Sequence, residues 1–228
     1  MTKYLITTTL LNSYQYYIND EFKSPADSRA DFFKTLSKEK FKPNEAMQKG
    51  IDFEAKVQFL TTDITVDDLR HFYKEKVGET VINHKLTIED AINWLKQQPE
   101  FLISQVVENG LWQQTCKKDL KIGNKEFLLY GKMDVIKRDT IYDIKFTDNY
   151  ELGKFLDSSQ HLIYLYCTGL PKFQYLISDG KDYWIEDYYN HANIENEIKS
   201  KISDFLGYLE NDKEAKEMFE TKWISKQN

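Results

Sequence analysis

The stretch from Leu111 to Phe146 constrains the fold more than any other. It holds three strand-like runs, LWQQTCKKDL, EFLLYGKMDVI and TIYDIKF, parted by the turn signals Gly123-Asn124 and Arg138-Asp139. Runs of this length with turns this short predict an antiparallel meander. FLISQVV, residues 101–107, reads as a further strand ahead of it, which makes three or four strands in all. Two later runs, KFQYLISDG and KDYWIEDYY, meet at Asp179-Gly180 and predict another pair.

Helical patterns surround these strands. Residues 7–20 form a short helix, and residues 21–42 are irregular with a helical piece over Asp31–Leu36. From Pro43 a helix follows with Met47, Ile51, Glu54, Val57 and Gln58 on one face. Thr65 caps a helix over Val66–Lys76. Thr87 and Asp90 form a capping box ahead of Ala91, Ile92, Trp94 and Leu95. Further helices are predicted over Glu151–Cys167 and Ile194–Leu209, with residues 211–228 as a helical or loosely ordered tail. The fold class is α/β with α+β character, a mixed central sheet with an antiparallel meander flanked by helices. The 228 residues suit one domain, with 1–42 and 65–100 as helical elaboration.

Composition narrows the function. Apolar residues at 41% can build a core, and nine glycines and four prolines leave few long loops. A net charge of −6 argues against a wholly basic nucleic-acid binder, although 31 Lys and Arg residues suffice for a local basic groove. Cys116 and Cys167 belong to no CxxC pair, which excludes a cysteine-built zinc or iron–sulfur site and leaves free thiols or one disulfide. His71, His84, His161 and His191 show no metal-ligand spacing. The first residues lack a signal-peptide pattern, and no run of eighteen apolar residues occurs, so a cytoplasmic protein without a membrane span is expected.

Three charges stand where a sheet would not welcome them. Side chains alternate along a strand, so Ile141, Asp143 and Lys145 share one face while Tyr142, Ile144 and Phe146 share the other. If the two strands pair, Asp134 lies beside Asp143. Neighbouring carboxylates repel unless a cation sits between them, and a divalent ion serves better than Lys145. On the following helix Gln160 and Tyr164, four apart, lie on one face. Glu54 falls on an otherwise core-facing stripe. Taken singly, each has an ordinary reading: a surface ion pair, an amphipathic helix, a solvated acid.

Taken in order, Gly50–Glu54, Gly131–Ile136 (GKMDVI), Asp143–Lys145 (DIK) and Gln160–Tyr164 (QHLIY) resemble the PD-(D/E)xK nuclease superfamily, in its RecB-like exonuclease branch. The resemblance spans about residues 45–180 and implies a restriction-endonuclease-like sheet. It implies Mg²⁺ or Mn²⁺ held by Glu54, Asp134, Asp143 and the carbonyl of Ile144. It also implies Lys145 on the attacking water and scissile phosphate, with Gln160 and Tyr164 supporting the site and the DNA. Glu54 stands where many relatives have histidine, and the iron–sulfur cysteines of some relatives are absent. The activity expected from the resemblance is a deoxyribonuclease, an exonuclease acting on duplex or single-stranded DNA ends in phage-type recombination, repair or replication. A structure-selective endonuclease and a non-catalytic binding module are the alternatives. No P-loop is present, so any unwinding would come from a partner; a single-strand annealing or helicase partner is expected, and a ring-shaped oligomer would supply processivity.

Overall fold

The computed structural model describes residues 2–19, 23–40, 42–62, 64–77 and 87–225. His84 and the segment 78–86 of the expected helical elaboration lie outside the described residues. The chain begins with β1 (Lys3–Thr7), which runs directly into α1 (Thr8–Asn19). Helices α2 (Pro25–Leu36), α3 (Glu45–Phe59), α4 (Val66–Val77), α5 (Ile88–Leu95) and α6 (Pro99–Val107) follow. The meander is β2 (Leu111–Ile122), β3 (Lys125–Lys137) and β4 (Thr140–Phe146). Then come α7 (Ser159–Thr168), β5 (Lys172–Ser178), β6 (Tyr183–Tyr189), α8 (Ile194–Asn211) and α9 (Lys213–Lys222).

The six strands form one mixed sheet in the order β1-β3-β4-β5-β6, with β2 also on β3. β3 is its spine. β2 covers one edge of β3 antiparallel from Lys125 to Ile136. The other edge carries two strands in succession: β1, parallel, against Glu126–Tyr130, and β4, antiparallel, against Val135–Lys137. Between them, residues 131–133 of β3 have a strand partner only in β2, and Asp134 has none on either side.

Helices pack on both faces. Phe32, Leu36, Ile163, Tyr164, Ile202 and Phe205 belong to the larger core, which α1, α2, α7, α8 and α9 build against one face. On the other, Phe53 and Val57 of α3 and Ile103 and Val107 of α6 meet Val135, Ile144 and Leu176. The alternation expected along β4 holds. Ile141 belongs to the larger core, while Tyr142, Ile144 and Phe146 pack with α3 and α6.

Several expected elements are corrected. FLISQVV is helical, not a strand: Pro99 occupies the first turn of α6, and Ile103 and Val107, four apart, carry its buried face into the core. The face of α3 is rotated from the expected one, since Met47 and Ile51 are 47% and 50% exposed while Phe53, Val57 and Leu60 are buried. α2 starts at Pro25, where the Ser24 side chain accepts from the Asp27 N–H. α7 begins only at Ser159, after the Ser158 cap, and residues 152–157 are turns. There the Glu186 carboxylate accepts from Tyr150 Oη and the Gly153 N–H at 2.8 and 2.9 Å. β1 has no counterpart in the sequence reading. The Thr87–Asp90 capping box forms as expected. Both cysteines are free.

Gly131 is required by packing. A Cβ there would stand 2.2 Å from Tyr164 Cε1, inside a ring that is itself 2% exposed. Gly131→Ala is expected to destabilise the fold by about 1–3 kcal/mol through overpacking, read as a lower midpoint in urea unfolding.

Candidate active site at the gap beside the central strand

The gap in the β3 edge brings the expected charges together. Where the β3–β4 ladder ends at the Val135–Tyr142 pair, Asp134 and Asp143 come next on the two parting strands. Asp134 Oδ2 accepts the Ile144 N–H at 2.9 Å, so a side chain closes the ladder where backbone no longer does. In an extended strand the N–H and C=O of one residue point to the same side. The Ile144 carbonyl therefore faces the parting strands, on the side of Asp134.

Asp143 is 1% exposed, and a buried carboxylate needs partners. Its Oδ1 accepts from Gln160 Nε2 at 2.7 Å, and Lys145 Nζ lies 2.5 Å from Oδ2. Oδ2 makes that ion pair but no well-directed hydrogen bond. Lys145 keeps 28% of its side chain exposed and so reaches solvent from the same face. Burial depresses its ammonium, but the charges of Asp143 and Asp134 outweigh this and raise it above the ordinary lysine value. Lys145 is therefore a fixed positive charge at neutral pH.

α7 supports the site from its own layer. Asn12 of α1 accepts from the Ser159 N–H at 2.7 Å and donates to Ser158 Oγ at 3.2 Å, which pins the helix start. Gln160 thus reaches Asp143. One turn on, Tyr164 donates to the Lys132 carbonyl at 2.7 Å, within the half-paired part of β3. Burial pushes the Tyr164 phenol up to about 12, so it remains a donor.

Glu54 arrives from α3, on the other layer. Burial raises its carboxyl, and the charge of Asp143 raises it further, while Lys145 and Lys132 oppose this. Asp134 is raised strongly by burial first and then by Asp143 and Glu54. The three acids therefore sense one another, and Lys145 answers only part of their charge. One residue of this arrangement escaped the sequence reading. Gln113 donates to Glu54 Oε1 at 2.7 Å from within β2. Its backbone has φ +55, in the left-handed region, where a residue without glycine's freedom is strained. The ladder skips it between the pairs Trp112–Val135 and Gln114–Met133, opposite Asp134. The paired glutamines of LWQQT are its only trace in sequence.

The donors are carboxylate and carbonyl oxygens, the set that suits hard cations such as Mg²⁺ and Mn²⁺ rather than soft ones. Among the described residues, no three acid, histidine or cysteine side chains are gathered closely enough to hold an ion as they stand. The Lys145 ammonium occupies the flank of Asp143 instead. Also among the described residues, no helix is long and apolar enough to cross a membrane.

No protein-family model matches the chain, and no curated protein matches it. Among solved structures, the crystal structure of SSO0001 is 16% identical, covers 66% of this chain and 83% of its own, and superposes with a TM-score of 0.38.

The raised acids have a measurable consequence. A carboxyl held above its unfolded value binds its proton more tightly in the folded state. Its penalty is absent below about pH 4 and grows as pH rises through the raised Asp134 and Glu54 values. Without a bound cation, stability is expected to fall over that range. Asp134→Asn keeps an acceptor for the Ile144 N–H and removes the charge. At pH 8 it is expected to be more stable than wild type by on the order of 1 kcal/mol, the difference closing toward pH 4 in thermal melts across the pH range.

Proposed function

We propose that the chain is a metal-dependent nuclease that hydrolyses phosphodiester bonds in DNA. The observation that carries the reading is the junction of β3 and β4, where Asp134, Asp143 and Lys145 meet beside the Ile144 carbonyl. Glu54 adds a third carboxylate from a separate layer. These oxygens would hold Mg²⁺ or Mn²⁺. Bound there, the ion would supply Lewis-acid charge at the phosphate and lower the pKa of a water.

The chain's own residues supply the rest. Asp134 and Asp143 bring negative charge to one point and hold it through the Ile144 N–H and Gln160. Lys145, raised and protonated, is suited to hydrogen-bond the attacking water and to offset the charge that builds on the scissile phosphate. It is less suited to remove a proton, since it starts with its own. Gln160 keeps Asp143 aimed at the gap, and Tyr164 holds the half-paired segment of β3 in place. Gln113 keeps Glu54 turned toward the other two acids.

Hydrolysis of DNA ends is the activity put forward, and the same residues would serve an endonuclease. Linear duplex, single-stranded and covalently closed circular DNA, each with Mg²⁺ or Mn²⁺, separate the two. Cleavage of linear DNA alone identifies an exonuclease, and cleavage of the closed circle removes that reading. Lys145→Ala is expected to lower the rate about 10²–10³-fold, the cost of one electrostatic donor at a transition state. Undiminished hydrolysis by Lys145→Ala would sink the proposal. Mg²⁺ is also expected to raise the melting temperature of wild type at pH 8, and that of Asp134→Asn much less.

A further inference from the structure

We infer that the groove between α1, α2 and the segment leading into α3 is a track for single-stranded nucleic acid, which delivers one strand to the acidic site. The inference rests on the nuclease reading and adds the form of the substrate. The groove has a volume of about 810 Å³, and Gln160 lies in its wall. The same Gln160 donates to Asp143 at 2.7 Å, so one residue of the groove wall is also a support of the acidic site.

The lining reverses the charge of the chain. Lys23, Lys34, Lys40 and Lys42 face the groove against two acids, Asp31 and Glu39, in a protein of net charge −6. Asp31 is already matched, by Lys23 at 2.9 Å and Lys34 at 2.7 Å. Lys40 and Lys42 enter no ion pair with another described residue and stand in the lining close to one another. A surplus of cations along a groove suits a phosphate backbone.

An aromatic platform stands in the same wall. Tyr16 on α1 is 73% exposed, a large ring with no role in the core. Its neighbour Tyr17 is engaged, its ring stacked on Phe32 at 5.3 Å and 3°. An exposed ring beside a cationic groove is what an unpaired base stacks on. Bases inside a duplex have both faces covered by their neighbours and cannot use it. The groove therefore fits a strand whose bases are free, and it reaches the active site through Gln160.

The test is fluorescence anisotropy of an end-labelled oligothymidylate, in EDTA so that nothing is cut. Wild type is expected to bind the single strand more tightly than a duplex of the same length. Tyr16→Ala is expected to weaken binding about tenfold, with Tyr16→Phe restoring it, since stacking needs the ring and not the hydroxyl. Lys40→Glu/Lys42→Glu is expected to flatten the slope of log affinity against log salt by about 1.4, for two phosphate contacts on a single strand. Wild-type affinity in Tyr16→Ala, an unchanged salt slope in the double variant, or tighter binding of duplex would each overturn the inference. Wild-type hydrolysis of DNA with Mg²⁺, measured alongside, reads the nuclease proposal separately. Binding without hydrolysis removes the catalytic reading and leaves the track standing, whereas hydrolysis without single-strand binding removes the track alone.

Discussion

Everything at the candidate site depends on how the long edge of β3 is shared. Two strands of opposite direction occupy it, and neither reaches residues 131–134. A fully paired edge would place backbone against backbone there, with no room for a ligand or for side chains from another layer. The half-paired segment leaves carbonyls that must be satisfied by something else. Tyr164 satisfies one of them, and Gly131 makes its approach possible because any Cβ would fall inside the ring. The gap is therefore held open by a specific contact between α7 and β3.

The charges follow from the gap. Asp143 is buried and would be prohibitively costly without Gln160 and Lys145. Asp134 exchanges one of its lone pairs for the Ile144 N–H and is still driven upward by burial and by its neighbours. A site that served stability alone would match each acid to a cation. Here Lys145 leans on Asp143 while Asp134 and Glu54 remain raised. Ionising these acids is costly as the site stands, and the proposed cation would offset that cost.

The sequence revealed the part of this that is local. The β3–β4 hairpin was legible because alternation and the Arg138-Asp139 turn fix which side chains share a face. The helix bearing Gln160 and Tyr164 is legible from their spacing, but its pattern runs back to Glu151, whereas residues 152–157 are turns where Glu186 accepts from Tyr150 and Gly153. The apolar run FLISQVV was misread because a short buried helix and a buried strand look alike in hydrophobicity alone. β1 and the gap it helps to define were out of reach. A five-residue parallel strand pairing over 120 residues away leaves no periodic mark.

Gln113 shows why the acids differ in kind. Asp134 and Asp143 are fixed by the sheet itself, through the ladder that ends beside them. Glu54 comes from a helix whose buried residues are Phe53 and Val57, so the core positions α3 but does not aim this side chain. Its direction is set by one hydrogen bond from Gln113, and that residue holds a left-handed backbone near the start of β2 to make it. Such strain costs roughly 1–3 kcal/mol and persists only where the surroundings enforce it. Here the regular pairs on either side, Trp112 with Val135 and Gln114 with Met133, supply the enforcement. The distortion falls opposite Asp134, so the feature that aims Glu54 is tied to the strand that carries the other acids. The third carboxylate is thereby coupled to the sheet although it belongs to a different layer.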